Sequence, residues 1–345
     1  MNRRRFIQGI GVAALFSGAP HLFAVETKRH PTIKAPRLRP GDTVGLINPA
    51  GVTYETVDIQ IARETLAALG LKTMLGAHAL DRYGYLAGKD ADRAADVNSM
   101  FENSDVQAIM AIRGGWGCSR ILTFLDYDRI RTHPKILVGY SDITALLLAV
   151  SARAGLVTFH GPVATSTWNA FSVDYVRRIL FDGEAVTMQN PGRSESTLAQ
   201  TKDRVETVTG GKARGRLFGG NLSVLTGIIG SDYLPDWKDA ILFVEDDGED
   251  IYRIDRMITQ LKLAGVLSKI SGFVFGKCTK CGPGESYGSL TLQDVLADHV
   301  KPLGIPAWYG AMIGHIENKF TVPVGIEAEI DADQGIIRLL ESAVV

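Results

Sequence analysis

The sequence predicts an α/β protein of two domains, the first built on a parallel sheet covered on both faces, the second smaller and mixed. Three observations carry that expectation. The chain has 345 residues, more than one ordinary domain of roughly 100 to 200, and its 46% hydrophobic fraction suffices for two cores. Along the first half, short apolar runs alternate with amphipathic helical stretches, the pattern of βαβ units. Beyond residue 208 the alternation resumes and ends in two segments that read as an antiparallel pair.

Residues 35–42 form a Pro/Arg-rich lead-in, and 43–48 read as a short buried strand closed by Pro49 and Gly51. A helix follows, with Val57, Ile61, Ala62, Leu66 and Leu69 on one stripe and Gly70 as its stop. Residues 71–75 are a second strand. Asp90 stands where a cap would open a helix bearing Ala94, Val97 and Phe101, and 106–112 are a strongly apolar strand. A further strand (135–139), an apolar helix (143–154) and a strand (156–159) complete the first domain, 36–165. Residues 166–208 lose this rhythm and read as a connector or lid. The second domain, 209–345, offers strands at 213–218, 240–244 and 272–276 and helices at 221–229, 251–263 and 292–299. Strands at 326–330 and 335–340 flank the turn Ala332-Asp333-Gln334. No internal repeat is present.

Lysine plus arginine number 37 and aspartate plus glutamate 38, so nothing marks a nucleic-acid partner. Arg3, Arg4 and Arg5 precede an uncharged run at 9–19, the form of a twin-arginine signal, with cleavage expected after Ala24. The run is short of the roughly 20 residues of a membrane span, so a stable anchor is not expected. Cleavage would leave 34 basic and 38 acidic groups on a periplasmic protein. Of three cysteines, Cys118 stands alone, while Cys278 and Cys281 lack the further ligands of a zinc site and read as a local disulfide or two thiols. Neither metal nor organic cofactor is expected.

Ligands of open parallel sheets bind beyond the carboxyl ends of the strands. One such loop is Arg113-Gly114-Gly115-Trp116-Gly117-Cys118-Ser119-Arg120, whose glycines let backbone N–H groups face an anion. It lacks the third glycine of a dinucleotide loop and the lysine of a Walker motif. The next is Gly139-Tyr140-Ser141-Asp142-Ile143, ahead of an apolar helix. A serine at a sharp strand-to-helix turn is a nucleophile elbow, with the Asp142 N–H facing a developing oxyanion. Ile143 replaces the usual second glycine, and a helix cap is the competing reading of Ser141. His160 and His315 are the candidate bases, and Glu245, first off an apolar strand, the candidate orienting acid.

Together these segments resemble the LD-carboxypeptidase family of serine peptidases over nearly all of the chain after the signal. The resemblance runs through Gly84-Tyr85-Leu86-Ala87-Gly88, Arg113-Gly114-Gly115-Trp116-Gly117, Gly139-Tyr140-Ser141-Asp142, His160-Gly161-Pro162, Gly219-Gly220-Asn221-Leu222, Phe243-Val244-Glu245-Asp246, Tyr252-Arg253-Ile254-Asp255-Arg256 and Gly314-His315. It implies a Rossmann-like amino-terminal domain, a smaller mixed α/β carboxy-terminal domain, and a site at their junction. It also implies Ser141 as nucleophile, Glu245 as acid and His315 as base, without metal or cofactor, and a homodimer. The expected oxyanion donors are the Asp142 N–H and one from Gly115 or Trp116. Arg113 and Asn221 are the expected ligands of a terminal carboxylate. The substrate implied is a murein tetrapeptide losing its D-alanine. Two alternatives stand beside it: a peptide-nucleotide, on whose base Trp168 would stack, and, from another class, an exported solute-binding protein.

Overall fold

In the computed structural model, residues 30–193, 198–284 and 288–345 are described. The signal segment 1–24, with its arginines, lies outside them. Among the described residues no helix is long and apolar enough to cross a membrane.

The first domain runs β1 (Thr43–Ile47), α1 (Thr56–Ala68), β2 (Lys72–Leu75), α2 (Asp90–Glu102), β3 (Ala108–Ala111), α3 (Cys118–Ile121), α4 (Tyr127–Thr132), β4 (Ile136–Gly139), α5 (Thr144–Ala154) and β5 (Thr158–His160). β3 and β4 are buried at every position, as strands covered on both faces must be. All five strands are parallel, in the order β5-β4-β3-β1-β2. The order reverses at β1, which makes the crevice between the ends of β1 and β3 a topological switch point. Asp90 does not cap α2, whose N-cap is Lys89. Its carboxylate is taken instead by Arg93 and Arg120, whose charged donors outcompete backbone amides.

After α6 (Ala170–Val176) come β6 (Thr187–Gln189), β7 (Glu206–Thr209), β8 (Lys212–Asn221), α7 (Leu222–Gly227), β9 (Ile241–Asp247), α8 (Ile251–Leu263), β10 (Gly272–Thr279), α9 (Leu292–His299), β11 (Ala307–Tyr309), β12 (Val322–Val324), β13 (Glu327–Asp331) and β14 (Ile336–Leu339). β8, β9, β10 and β11 are parallel, and the remaining neighbours in the order β6-β14-β13-β8-β9-β10-β11-β7 are antiparallel.

Two features differ from the sequence expectation. The segment read as a connector or lid supplies both edges of the second sheet, β6 and β7. Edge strands of three or four residues bury too little on either face to leave an alternating pattern. β12, from the second half of the chain, pairs with β5 and extends the first sheet, its Pro323 tolerated because the strand is an edge. The domains are therefore interleaved. α5 lies between them: its leucines 146, 147 and 148 are fully buried, since one side meets the first sheet and the other meets β8. Gly220, at φ +142°, lets α5 approach; a Cβ there would lie 2.5 Å from Thr144 Oγ1, which instead accepts the Asn221 N–H at 2.9 Å.

Candidate active site

The switch-point crevice holds a cavity of about 470 Å³ lined by Gly51, Val52, Tyr54, Tyr85, Arg113, Gly115 and Trp116. Buried Arg93 fixes its two walls, donating to the Pro49 carbonyl after β1 and, at 3.0 Å, to the Gly117 carbonyl after β3. No motif in the sequence marks Arg93, since a helical arginine gives no local sign of being buried.

Ser141 follows β4 with φ +62°, a conformation rare for a residue with a side chain. That backbone answers the choice between cap and elbow. Tyr140 is the N-cap of the short 3₁₀ turn Ser141–Ile143, Ile143 that of α5, and the Ser141 hydroxyl instead meets His315 Nε2 at 3.0 Å. One glycine suffices in this elbow because Ile143 packs onto Gly139, where a Cβ would stand 2.6 Å from Ile143 Cγ2. The carboxylate of buried Asp142 turns away and accepts the Cys118 N–H at 2.7 Å, tying the elbow to the glycine-rich loop. Burial pushes that carboxyl up to about 6, against the pull of the Cys118 bonds and Arg93.

His315, in the loop between β11 and β12, places Nδ1 2.8 Å from Oε2 of Glu245, which is completely buried on β9. Gly314, at φ +127°, permits this approach, a Cβ there lying 2.9 Å from Glu245 Oε2. Burial alone would raise the Glu245 carboxyl, but His160 and His315 outweigh it and hold the group at about 2. Burial likewise lowers the His315 imidazolium, yet the bond to Glu245 and the neighbouring carboxylates win, so its pKa lies above the ordinary 6.5. A carboxylate only accepts, so Nδ1 carries the ring hydrogen and Nε2 faces Ser141 as an acceptor. His160, the other candidate base, is buried with Nε2 3.7 Å from Glu245 Oε1, beyond hydrogen-bond reach, behind the acid rather than beside the serine.

Asn221 corrects one expectation. It is buried, its two amide hydrogens go to Glu245 Oε1 at 3.2 Å and Asp246 Oδ1 at 3.1 Å, and its oxygen caps α7 by accepting the Val224 N–H. No amide hydrogen is left for a substrate carboxylate; the residue holds the acid pair. Gly114 is the loop residue against Ser141, a Cβ there lying 2.9 Å from Ser141 Cβ, whereas Gly115 backs onto Gly51 and Trp116 stands half-exposed at the rim, edge-on to Tyr85. The Gly-Gly pair marked this loop in the sequence, but not which glycine touches the serine. Arg113 lines the cavity and donates to the Val52 carbonyl at 2.9 Å. Trp168 is an anchor, its indole N–H shared by the Val163 and Ala164 carbonyls and its ring packed on the core. Cys278 and Cys281 are bridged, and Cys118 is buried and free. Among the described residues one cluster, His78, Asp81 and Asp92, brings possible metal ligands within 4.8 Å, with His78 already bonded to Asp81.

A parallel sheet presenting a strained serine, with an imidazole and a buried carboxylate in line behind it, defines a two-domain α/β hydrolase of the serine type. The family models agree in both halves: residues 44–161 match the LD-carboxypeptidase N-terminal domain and 214–330 its C-terminal domain. A probable murein peptide carboxypeptidase of Bacillus subtilis is 38% identical over 298 residues, covering 86% of this chain and 91% of its own length. The murein tetrapeptide carboxypeptidase of Pseudomonas aeruginosa is 30% identical over 309 residues, covering 84% and 94% respectively. Among solved structures, MccF in complex with glutamyl sulfamoyl guanosine superposes with a TM-score of 0.81 at 29% identity, covering 90% of this chain and 99% of that one. The chain belongs to the LD-carboxypeptidase family.

Proposed function

We propose that the protein is an exported serine carboxypeptidase that removes the terminal D-alanine of murein tetrapeptides, with Ser141, His315 and Glu245 as its triad. The observation that carries this reading is the in-line contact of Ser141 Oγ with His315 Nε2 at 3.0 Å and of His315 Nδ1 with Glu245 at 2.8 Å. Nε2 takes the hydroxyl proton as Oγ attacks the carbonyl of the penultimate residue, and Glu245 stabilises the imidazolium. The proton then passes to the departing amine, and water, activated by the same imidazole, hydrolyses the acyl-enzyme. The Asp142 N–H and an amide of the loop through Gly115 and Trp116 are the proposed oxyanion donors, and Arg113 a substrate-binding cation.

The names of the murein-peptide relatives support this substrate, and the leader Arg3-Arg4-Arg5 supports the compartment. The test is mass spectrometry of purified tetrapeptide with wild type and Ser141→Ala. Loss of one alanine with wild type alone is expected; release by the variant, or by neither protein, refutes the proposal. A second reading, cleavage of a peptide-nucleotide, has its own support in the likeness to MccF and in the aromatic rim Tyr54, Tyr85 and Trp116, which can stack on a base. A peptidyl sulfamoyl nucleoside assayed beside the tetrapeptide separates the two. The homodimer expected of the family is checked by sedimentation.

A further inference from the structure

Three cationic side chains are buried among the described residues: Arg93, Lys135 and Lys319. Arg93 donates through its two terminal nitrogens to two carbonyls and Asp90, its buried Nε finding no partner among the described residues, and Lys135 donates to the Met100 and Asn103 carbonyls. Lys319 has no such partner. It is 5% exposed, and its Nζ lies 4.8 Å from the centre of the Tyr140 ring, with neither a hydrogen bond nor a carboxylate in salt-bridge reach among the described residues. Its backbone is fixed, since the Lys319 N–H donates to Ser172 Oγ at 3.1 Å and that hydroxyl donates to the Glu317 carbonyl at 3.2 Å. Glu245 acts on it only through space, its two oxygens being bonded to His315 and Asn221. Burial accordingly pulls the ammonium down to about 8, only partly offset by Glu245 and Glu317.

A mostly buried ammonium with no direct anionic partner is costly, and Lys319, packed on the residue before Ser141, would gain from an incoming anion. Tyr140 directly precedes Ser141, and its ring lies 4.9 Å from that of His315, so Lys319 and the base pack on one side chain. In the proposed reaction the departing nitrogen has to reach His315 Nε2 to be protonated, and the terminal carboxylate is two bonds beyond that nitrogen. We infer that Lys319 is the counter-ion of the substrate's terminal carboxylate, the residue that makes this site cut one residue from a free carboxyl end. Arg113, held to Val52 in the cavity across the elbow, then serves the acyl side. The inference rests on the proposed peptidase activity and replaces Asn221 in the role that the sequence suggested.

The experiment compares the tetrapeptide ending in D-alanine with the same peptide ending in D-alaninamide, for wild type, Lys319→Met and Lys319→Arg. The acid-to-amide ratio of kcat/KM is internal to each protein, so the fraction of folded enzyme cancels. Wild type prefers the acid by about 10- to 100-fold, the range of a charge-assisted hydrogen bond; Lys319→Met abolishes the preference by losing activity on the acid alone, and Lys319→Arg keeps most of it. Calorimetry of the acid with Ser141→Ala, alone and combined with Lys319→Met, shows the same loss in binding without turnover. A wild type indifferent to the amide overturns the inference, as does a Lys319→Met variant that keeps the preference. Equal losses on both substrates also overturn it and assign Lys319 to holding Tyr140. Hydrolysis of neither peptide by wild type refutes the peptidase reading itself, an outcome distinct from these.

Discussion

Replacing Glu245 by glutamine removes one charge from the centre of the proposed mechanism and almost no volume. Glu245 is completely buried, and its carboxylate touches His315 Nδ1 at 2.8 Å. With charge centres about 4 Å apart and an effective dielectric of about 20, the carboxylate stabilises the imidazolium by about 4 kcal/mol. Loss of that attraction in the transition state lowers kcat by about 10³-fold. The glutamine amide also presents N–H to Nδ1, which favours the tautomer with its hydrogen on Nε2, unable to accept from Ser141. The pH profile gives a second readout. His315 has to be neutral to act as base, and its pKa lies above 6.5, so wild-type kcat/KM falls as pH drops through a midpoint above 6.5. Without the carboxylate the imidazolium is less stable, and the acid limb of Glu245→Gln moves to lower pH. Both are measured by D-alanine release across pH, with circular dichroism to confirm the fold. A variant within ten-fold of wild type, or one with an unmoved acid limb, refutes the role given to Glu245.

Gly114→Ala places a Cβ 2.9 Å from Ser141 Cβ and 3.1 Å from Oγ, displacing the proposed nucleophile. Steady-state kinetics are expected to show a loss of about 10²-fold in kcat with little change in melting temperature. Changing both Cys278 and Cys281 to serine opens a loop closed across a sequence separation of 3. So small a loop contributes on the order of 2 kcal/mol, a shift of a few degrees in a thermal melt. Because Thr279 Oγ1 in that loop donates to the His315 carbonyl at 3.3 Å, the same protein assayed well below its melting point is the informative control: activity is retained, and a ten-fold loss would show that the bridge holds the base.

Much of the site was legible because its parts sit at strand ends, and strand ends follow from local periodicity. The apolar runs before Ser141 and Glu245 place both residues where an open sheet exposes its chemistry, and the helix at 251–263 coincides with α8. Less legible were the edge strands β6, β7 and β12, each too short for a pattern and defined only by the strand it joins. Asn221 shows the same limit within the site. A glycine-rich approach to an asparagine reads as a ligand loop, and only packing against Asp246 and Glu245 turns it into a cap and a brace.

The sequence by itself determined the alternation of strands and helices, the loops where chemistry could sit and, through its ordered motifs, the family. The tertiary structure decided that Ser141 adopts an elbow rather than a cap, that His315 rather than His160 faces it, and that Lys319 is a buried cation without a salt-bridge partner among the described residues. The physical reason is range. Periodicity is set by neighbours a few residues apart, whereas Ser141 and His315 are 174 positions apart, and the partner each side chain meets is chosen by how two interleaved sheets pack.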